Sequence, residues 1–319
     1  MTDPEIPPAP APLIPATLSP GDPALPPNTV FRGPNGIRAG WRVLVFLAIS
    51  AGLGLFLVLG FALASLRKTG LTALSQLTPL GLSISEGAIF FLTAVPTLIM
   101  SRIERRRFGQ YGLPLRSAFG GNFWIGVLVG FVSISACLFG IFAFHGFHLT
   151  GLAIHGSEIL SATVAWGITF ILVGLAEEFS FRGYLQFTLT TGMGFWPSAI
   201  LLSLLFAGAH GANPGESNTG LLSVVMFGLL FCFFLRRTGN LWFPVGFHAG
   251  WDWAQTFFYG VPDSGILPYH NLFNCSFNGP SWLTGGSVGP EASVFTFIVL
   301  IIVGAAFASV CRQNRYEAP

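Results

Sequence analysis

Apolar residues along this chain come in long blocks separated by short polar stretches. Blocks lie at about 41–66, 84–101, 123–145, 159–178, 196–211, 221–235, 240–259 and 292–311. A helix needs about 20 residues to cross about 30 Å of hydrocarbon, so each block predicts a membrane-crossing helix and the set predicts an all-α, polytopic transmembrane bundle of about eight helices. The fifth to seventh blocks are short or interrupted by Gly and Pro, which a bundle tolerates where neighbouring protein or a water-filled cavity satisfies the freed backbone. Residues 1–35 hold half of the prolines and few large apolar groups, a composition expected to stay disordered. Residues 36–319 then form the transmembrane domain. No internal repeat at a fixed period is visible, which excludes solenoids and propellers.

Composition agrees with the pattern. Charged residues make up 9% of the chain and hydrophobic ones 52%, whereas soluble domains carry about 25% charged residues. The net charge of +2 implies no nucleic-acid partner; the expected partners are membrane lipids and a peptide or lipidated-protein substrate. Cys137, Cys232, Cys275 and Cys311 show no CxxC spacing, so no disulfide framework is expected. The N-terminus has no basic start followed by an apolar core, so the first spanning helix is expected to target the chain and the tail to be retained.

Placement of the basic residues sets an expected orientation, since Lys and Arg stay on the cytoplasmic side. Arg102, Arg105, Arg106, Arg107 and Arg116 mark the second loop as cytoplasmic. An alternating path then puts Arg32, Arg38, Arg42, Arg236, Arg237, Arg312 and Arg315 on that side, with both termini, in a plasma (inner) membrane. Arg67 and Lys68 fall on the other side, as does the loop from Gly260 to Glu291, which is rich in Gly, Asn and Ser.

Against this background the ionisable residues inside the apolar blocks stand out, because a charge held in hydrocarbon costs several kcal/mol, about 2.5 or more by insertion scales. Glu177, Glu178 and Arg182 end the fourth block. Glu178 and Arg182 are spaced i, i+4 with the acid first, the favourable order for a pair. Glu177 is turned about 100° from Glu178 and is left free for chemistry. Phe206 and His210 close the fifth block among Ala207, Gly208, Ala209, Gly211 and Ala212, small residues that let backbones approach. His248 and Asp252 share a helix face at i, i+4, where the acid can orient the imidazole or both can bind a metal. Together these residues can activate a water, either as a metal site or as a general base with imidazole partners.

Glu-Glu-x-x-x-Arg, Phe-x-x-x-His and His-x-x-x-Asn/Asp, in this order across successive helices, resemble the CPBP family of intramembrane peptidases. That family includes the type II CAAX prenyl endopeptidases and the bacteriocin-immunity (Abi) proteins. Here the motifs stand as Glu177, Glu178 and Arg182; Phe206 and His210; and His248 and Asp252. The match covers about 160–260 and leaves out the proline tail and the outer loop. The resemblance implies an endopeptidase in which Glu177 and His210 activate a water while His248 and residue 252 meet the oxyanion, acting on prenylated (CAAX) or membrane-associated substrates. It also implies a metallo- or glutamate-dependent mechanism, the former with Zn²⁺ on Glu177, His210, His248 and Asp252. Asp252 departs from the Asn of the prenyl endopeptidase branch: if ionised it repels an oxyanion, so it is either protonated, a partner of His248, or a ligand. The alternative reading is a transporter or immunity protein using the same residues to relay ions or protons.

There is no HExxH and no Gly-x-Gly-Asp, and Gly285–Gly289 matches G-x-S-x-G without the strand-to-helix turn that exposes a nucleophile. The peptidase reading carries a geometric requirement. With straight helices at 1.5 Å per residue, Glu177 and His210 would lie at opposite membrane faces. They meet only if the fourth helix runs past Arg182 toward Thr190 and His210 sits deeper than the block boundary suggests.

Overall fold

The computed structural model describes residues 30–33, 36–66, 78–213, 215–265 and 270–318, with backbone alone over 60–66. Most of the proline-rich tail, and Arg67 and Lys68, lie outside the described residues. The chain divides at Arg38 into two units. In the first, strands β1 (Arg32–Gly33) and β2 (Gly36–Ile37) pair antiparallel, and Arg38 N–H donates to the Phe31 carbonyl.

The second unit holds the helices. All eight apolar blocks are helical. They form α1 (Ala39–Leu66), α2 (Pro79–Ile103), α3 (Gly121–Ala143), α4 (Ser157–Arg182), α6 (Phe195–His210), α7 (Asn218–Thr238), α8 (Trp242–Asp252) and α10 (Val294–Val310). Two helices were not among the blocks, α5 (Tyr184–Met193) and the single turn α9 (Ser281–Thr284). Among the described residues five helical stretches are long and apolar enough to cross a membrane, and α6 and α10 are shorter apolar helices. The chain is a polytopic helical membrane protein.

Local chemistry marks several ends. Thr78 Oγ1 accepts from Gly81 N–H and Pro79 opens α2, Ser217 Oγ accepts from Gly220 N–H before α7, and Gly239, at φ 77°, ends α7. The requirement on the fourth block is met: α4 and α5 run from Ser157 to Met193 with only a break at Gly183.

One end of the bundle gathers basic residues. The Glu104 carboxylate at the end of α2 is paired with Arg42 of α1 and accepts from Tyr111 at 2.6 Å and from Tyr184 of α5 at 2.5 Å. Burial alone would raise the Glu104 carboxyl, but Arg42 and the two phenols outweigh it and hold it below the ordinary range. At the same end Trp242 of α8 donates to the Pro114 carbonyl at 3.1 Å, and Arg315 N–H donates to Arg236 of α7 at 3.0 Å. The opposite end carries strands β3 (Phe147–Leu152) and β4 (Phe273–Phe277), paired antiparallel from Phe147 opposite Phe277 to Leu152 opposite Phe273. This ladder ties the 260–291 segment to the end of α3 and the start of α4.

One close helix contact is a glycine crossing. Gly126 and Gly130 of α3 face Gly246 and Gly250 of α8, and a Cβ on any of the four would land on a carbonyl of the other helix. With no side chains between them the two backbones touch, which fixes the rotation of α8 and so the direction of His248.

Candidate active site

Rotation of α4 separates its two acids. Glu178 and Arg182 are fully buried, whereas the Glu177 side chain keeps 24% exposure. Arg182 Nη1 lies 3.2 Å from Glu178 Oε1, and the guanidinium stacks 4.3 Å from the Phe206 ring centre. Gly228 of α7 makes room for it: a Cβ there would stand 2.7 Å from Arg182 Nη2. Arg182 thus locks α4 to α6.

The same Glu178 oxygen receives His248 Nδ1 at 3.0 Å. His248 Nε2 lies 3.3 Å from Asp252 Oδ2 and 3.6 Å from Glu177 Oε2. One imidazole is therefore held by three carboxylates, two of them on α4. Spacing alone pairs His248 only with Asp252; the contact with Glu178, 70 residues away, needs the α4–α8 packing.

Antiparallel packing of α4 and α6 brings in His210. Phe181 and Phe206 meet at 5.0 Å between ring centres. One turn back on α4 is Glu177 and one turn on along α6 is His210, and both steps lead toward the β3–β4 end. The two residues stand at one level and line one cavity of about 290 Å³. His210 Nδ1 lies 3.0 Å from the Phe206 carbonyl; with that nitrogen as donor, Nε2 remains available as acceptor.

Trp166, Phe170, Phe206, Phe227, Phe231 and Trp251 form the apolar wall of the cavity, and its carboxylates are Glu86, Glu177, Asp252, Asp263 and Glu291. Three of these acids lie outside the sequence-derived set. Glu86 is a lone acid in the apolar face of α2, and that isolation was its available signal. Asp263 and Glu291 belong to the outer loop, which the motif match leaves out. They reach the cavity because α8 passes into a π-helical turn, Trp253–Phe258, whose Thr256 hydroxyl donates to Asp263 at 2.7 Å. Ser264 then holds Glu291 through both N–H and hydroxyl, at 2.9 and 2.8 Å. Burial raises the Asp263 and Glu291 carboxyls; the charge of Glu177 adds to the rise at Asp263, and the charge of Asp263 to the rise at Glu291. None of His145, His148, His155 or His270 lines the cavity.

A zinc ion with bonds of about 2.0–2.1 Å would hold donor atoms about 3.3 Å apart on one common centre. Glu177, His248 and Asp252 approach that spacing, but as ion pairs made to one imidazole nitrogen. Among the described residues the carboxylate or imidazole atoms that lie within 4.8 Å of one another in a group of three are those of Asp252, Asp263 and Glu291. That set is all oxygen, without the nitrogen ligand typical of zinc. As arranged, the four expected donors do not fit Zn²⁺.

Residues 159–254 match the family model described as type II CAAX prenyl endopeptidase Rce1-like. The matched stretch holds Glu177, Glu178, Arg182, His210, His248 and Asp252, and the resemblance carried by the three motifs is thereby shown for it. Glu86, Asp263 and Glu291 lie beyond it. No curated protein matches the chain.

Proposed function

We propose that this Rce1-like chain is an intramembrane endopeptidase in which Glu177 is the general base. The observation that carries the reading is the shared cavity: Glu177 and His210 stand level on antiparallel helices, each with a polar atom to spare, against an apolar wall. A water between them gives one proton to Glu177 while His210 Nε2 accepts its other O–H. The hydroxide adds to the scissile carbonyl carbon, the C–N bond breaks, and Glu177 passes its proton to the leaving amine. His248, with carboxylate oxygens facing both ring nitrogens, supplies an N–H from Nε2 toward the developing oxyanion. Asp252 acts as the partner of His248. Glu178 and Arg182 position that ring from behind.

The substrate is an extended peptide segment, drawn from a lipidated protein or from a membrane protein. The arginine-rich bundle end faces the cytoplasm by the rule that retains Lys and Arg there.

Purified protein assayed on prenylated and unprenylated peptides tests this. Glu177→Ala and His210→Ala are each expected to lower the hydrolysis rate by about 10²–10⁴-fold, the range of general acid–base catalysis. Unchanged hydrolysis in both variants rules the site out, and ion-coupled uptake without cleavage supports a transporter. Chelator is expected to leave the rate within about twofold, since a general base needs no ion; loss of activity restored by Zn²⁺ would move the assignment to a metal.

A further inference from the structure

The charge of the cavity is lopsided. Five carboxylates line it, and no Lys or Arg does among the described residues. The nearby cation, Arg182, is fully buried behind the wall, paired with Glu178 and stacked on Phe206. His248 faces three acids that offset its charge. Toward the loop side, Asp252, Asp263 and Glu291 bring carboxylate oxygens within 4.8 Å of one another from three separate segments. Thr256 bonds one oxygen of Asp263, and Ser264 bonds one of Glu291. Each acid keeps a second oxygen.

A separate residue on another helix points the same way. Glu86 of α2 is 8% exposed, lines the same cavity, and its Oε2 has no hydrogen-bond partner. Its side chain lies close enough to Glu177 and His248 for their charges to act on it. A buried carboxylate oxygen without a donor is costly, and an incoming N–H⁺ donor removes that cost. A further carboxylate would meet five acids and no Lys or Arg to pair with among the described residues.

We propose that the cavity selects a cationic substrate segment and rejects an anionic one, the positive charge being a Lys or Arg side chain beside the scissile bond. This rests on the peptidase reading and names its substrate class. The carboxylates supply acceptors for the ammonium or guanidinium, and Trp166, Phe170, Phe227 and Trp251 supply an apolar wall for its methylene stem and ring faces for its charge. A peptide whose free α-carboxylate falls beside the scissile bond is a poor occupant; an internal segment carrying a base is a good one.

Binding can be read apart from turnover in chelator-treated Glu177→Ala protein, which keeps four of the cavity acids, in an uncharged detergent. The probes are fluorescent peptides identical except for Lys, norleucine or Glu next to the scissile position, followed by anisotropy. The Lys peptide is expected to bind more tightly than the Glu peptide by on the order of tenfold or more, since the cavity offers an ammonium several acceptors and offers a carboxylate no Lys or Arg. Adding Asp263→Asn with Glu291→Gln, changes that keep side-chain shape, is expected to collapse the spread. Glu86→Gln, on a different helix, is expected to narrow it independently, and thermal unfolding checks that each variant is folded. Equal affinity for the three peptides overturns the proposal, and so does a Lys preference that survives both sets of changes. The same peptides given to unmutated protein separate the two readings. Cleavage without any charge preference in binding defeats this inference alone, whereas a charge preference in binding without cleavage defeats the peptidase assignment and leaves the cationic ligand standing.

Discussion

Glu178 Oε1 accepts from both Arg182 and His248, so one buried oxygen holds the brace of α4 and the orientation of the imidazole. Removing that acid leaves a fully buried guanidinium without its carboxylate. Glu178→Ala is therefore expected to destabilise the protein by about 3–5 kcal/mol, the cost of an orphaned buried charge, read from thermal unfolding in detergent. The double change Glu178→Gln with Arg182→Met removes both charges and is expected to be the milder of the two; a double variant less stable than Glu178→Ala would show that the pair is not the brace described. Glu177 faces the cavity with partial exposure and belongs to a different class: Glu177→Gln is expected to abolish hydrolysis with little change in stability, because no buried charge is stranded.

At the scale of elements, the direction of His248 depends on the α3–α8 crossing, where four glycines remove every side chain between two backbones. Gly130→Val forces the helices apart or α8 to rotate. The expected loss is about 1–3 kcal/mol from overpacking, together with a fall in activity although no proposed catalytic residue is altered. Hydrolysis at the unmutated rate in a folded Gly130→Val protein would show that α8 can shift without moving the imidazole. The eight apolar blocks were readable as helices because a spanning segment must satisfy its backbone internally and present apolar side chains to lipid. The extension of α4 into α5 past Arg182 was legible only as a requirement of the chemistry. Tyr184 to Met193 is too mixed in polarity to announce itself, since much of it is buried against protein.

For the whole molecule, the arginine-rich end and the β3–β4 end are expected to lie on opposite sides of the membrane. Single cysteines placed at Arg105 and at Ser276, in a background without other cysteines, should react with an impermeant thiol reagent from opposite sides of intact cells, Arg105→Cys from the cytoplasm. Labelling of both from one side would reverse or break the path. The outer acids carry a pH signature. Folding raises the Asp263 and Glu291 carboxyls above their unfolded values, so the folded state holds those protons more tightly. Their contribution is favourable to folding in acid, below the ordinary carboxylate range, and is lost as pH rises toward the raised values. The midpoint of thermal unfolding should fall between about pH 4 and pH 8 for this reason, and Asp263→Asn with Glu291→Gln should flatten that slope.

What the sequence by itself determined about this protein follows from local covalent geometry and from solvent. Lipid demands long apolar helices, and a helical repeat puts Glu178 with Arg182 and His248 with Asp252 at i, i+4 while turning Glu177 away; all of this holds whatever the neighbours do. Tertiary structure alone decided what those residues meet. The level of Glu177 with His210 comes from the antiparallel contact of Phe181 with Phe206, and the pairing of His248 with Glu178 comes from the packing of α8 on α4, with α8 held by its glycine crossing with α3. Glu86, Asp263 and Glu291 enter the cavity through the α2–α4 packing, a π-helical turn and a strand pair that ties down the outer loop. Such contacts join residues far apart in the chain, where neither period nor spacing connects them, and only the packing of the helices against one another brings their side chains into a single cavity.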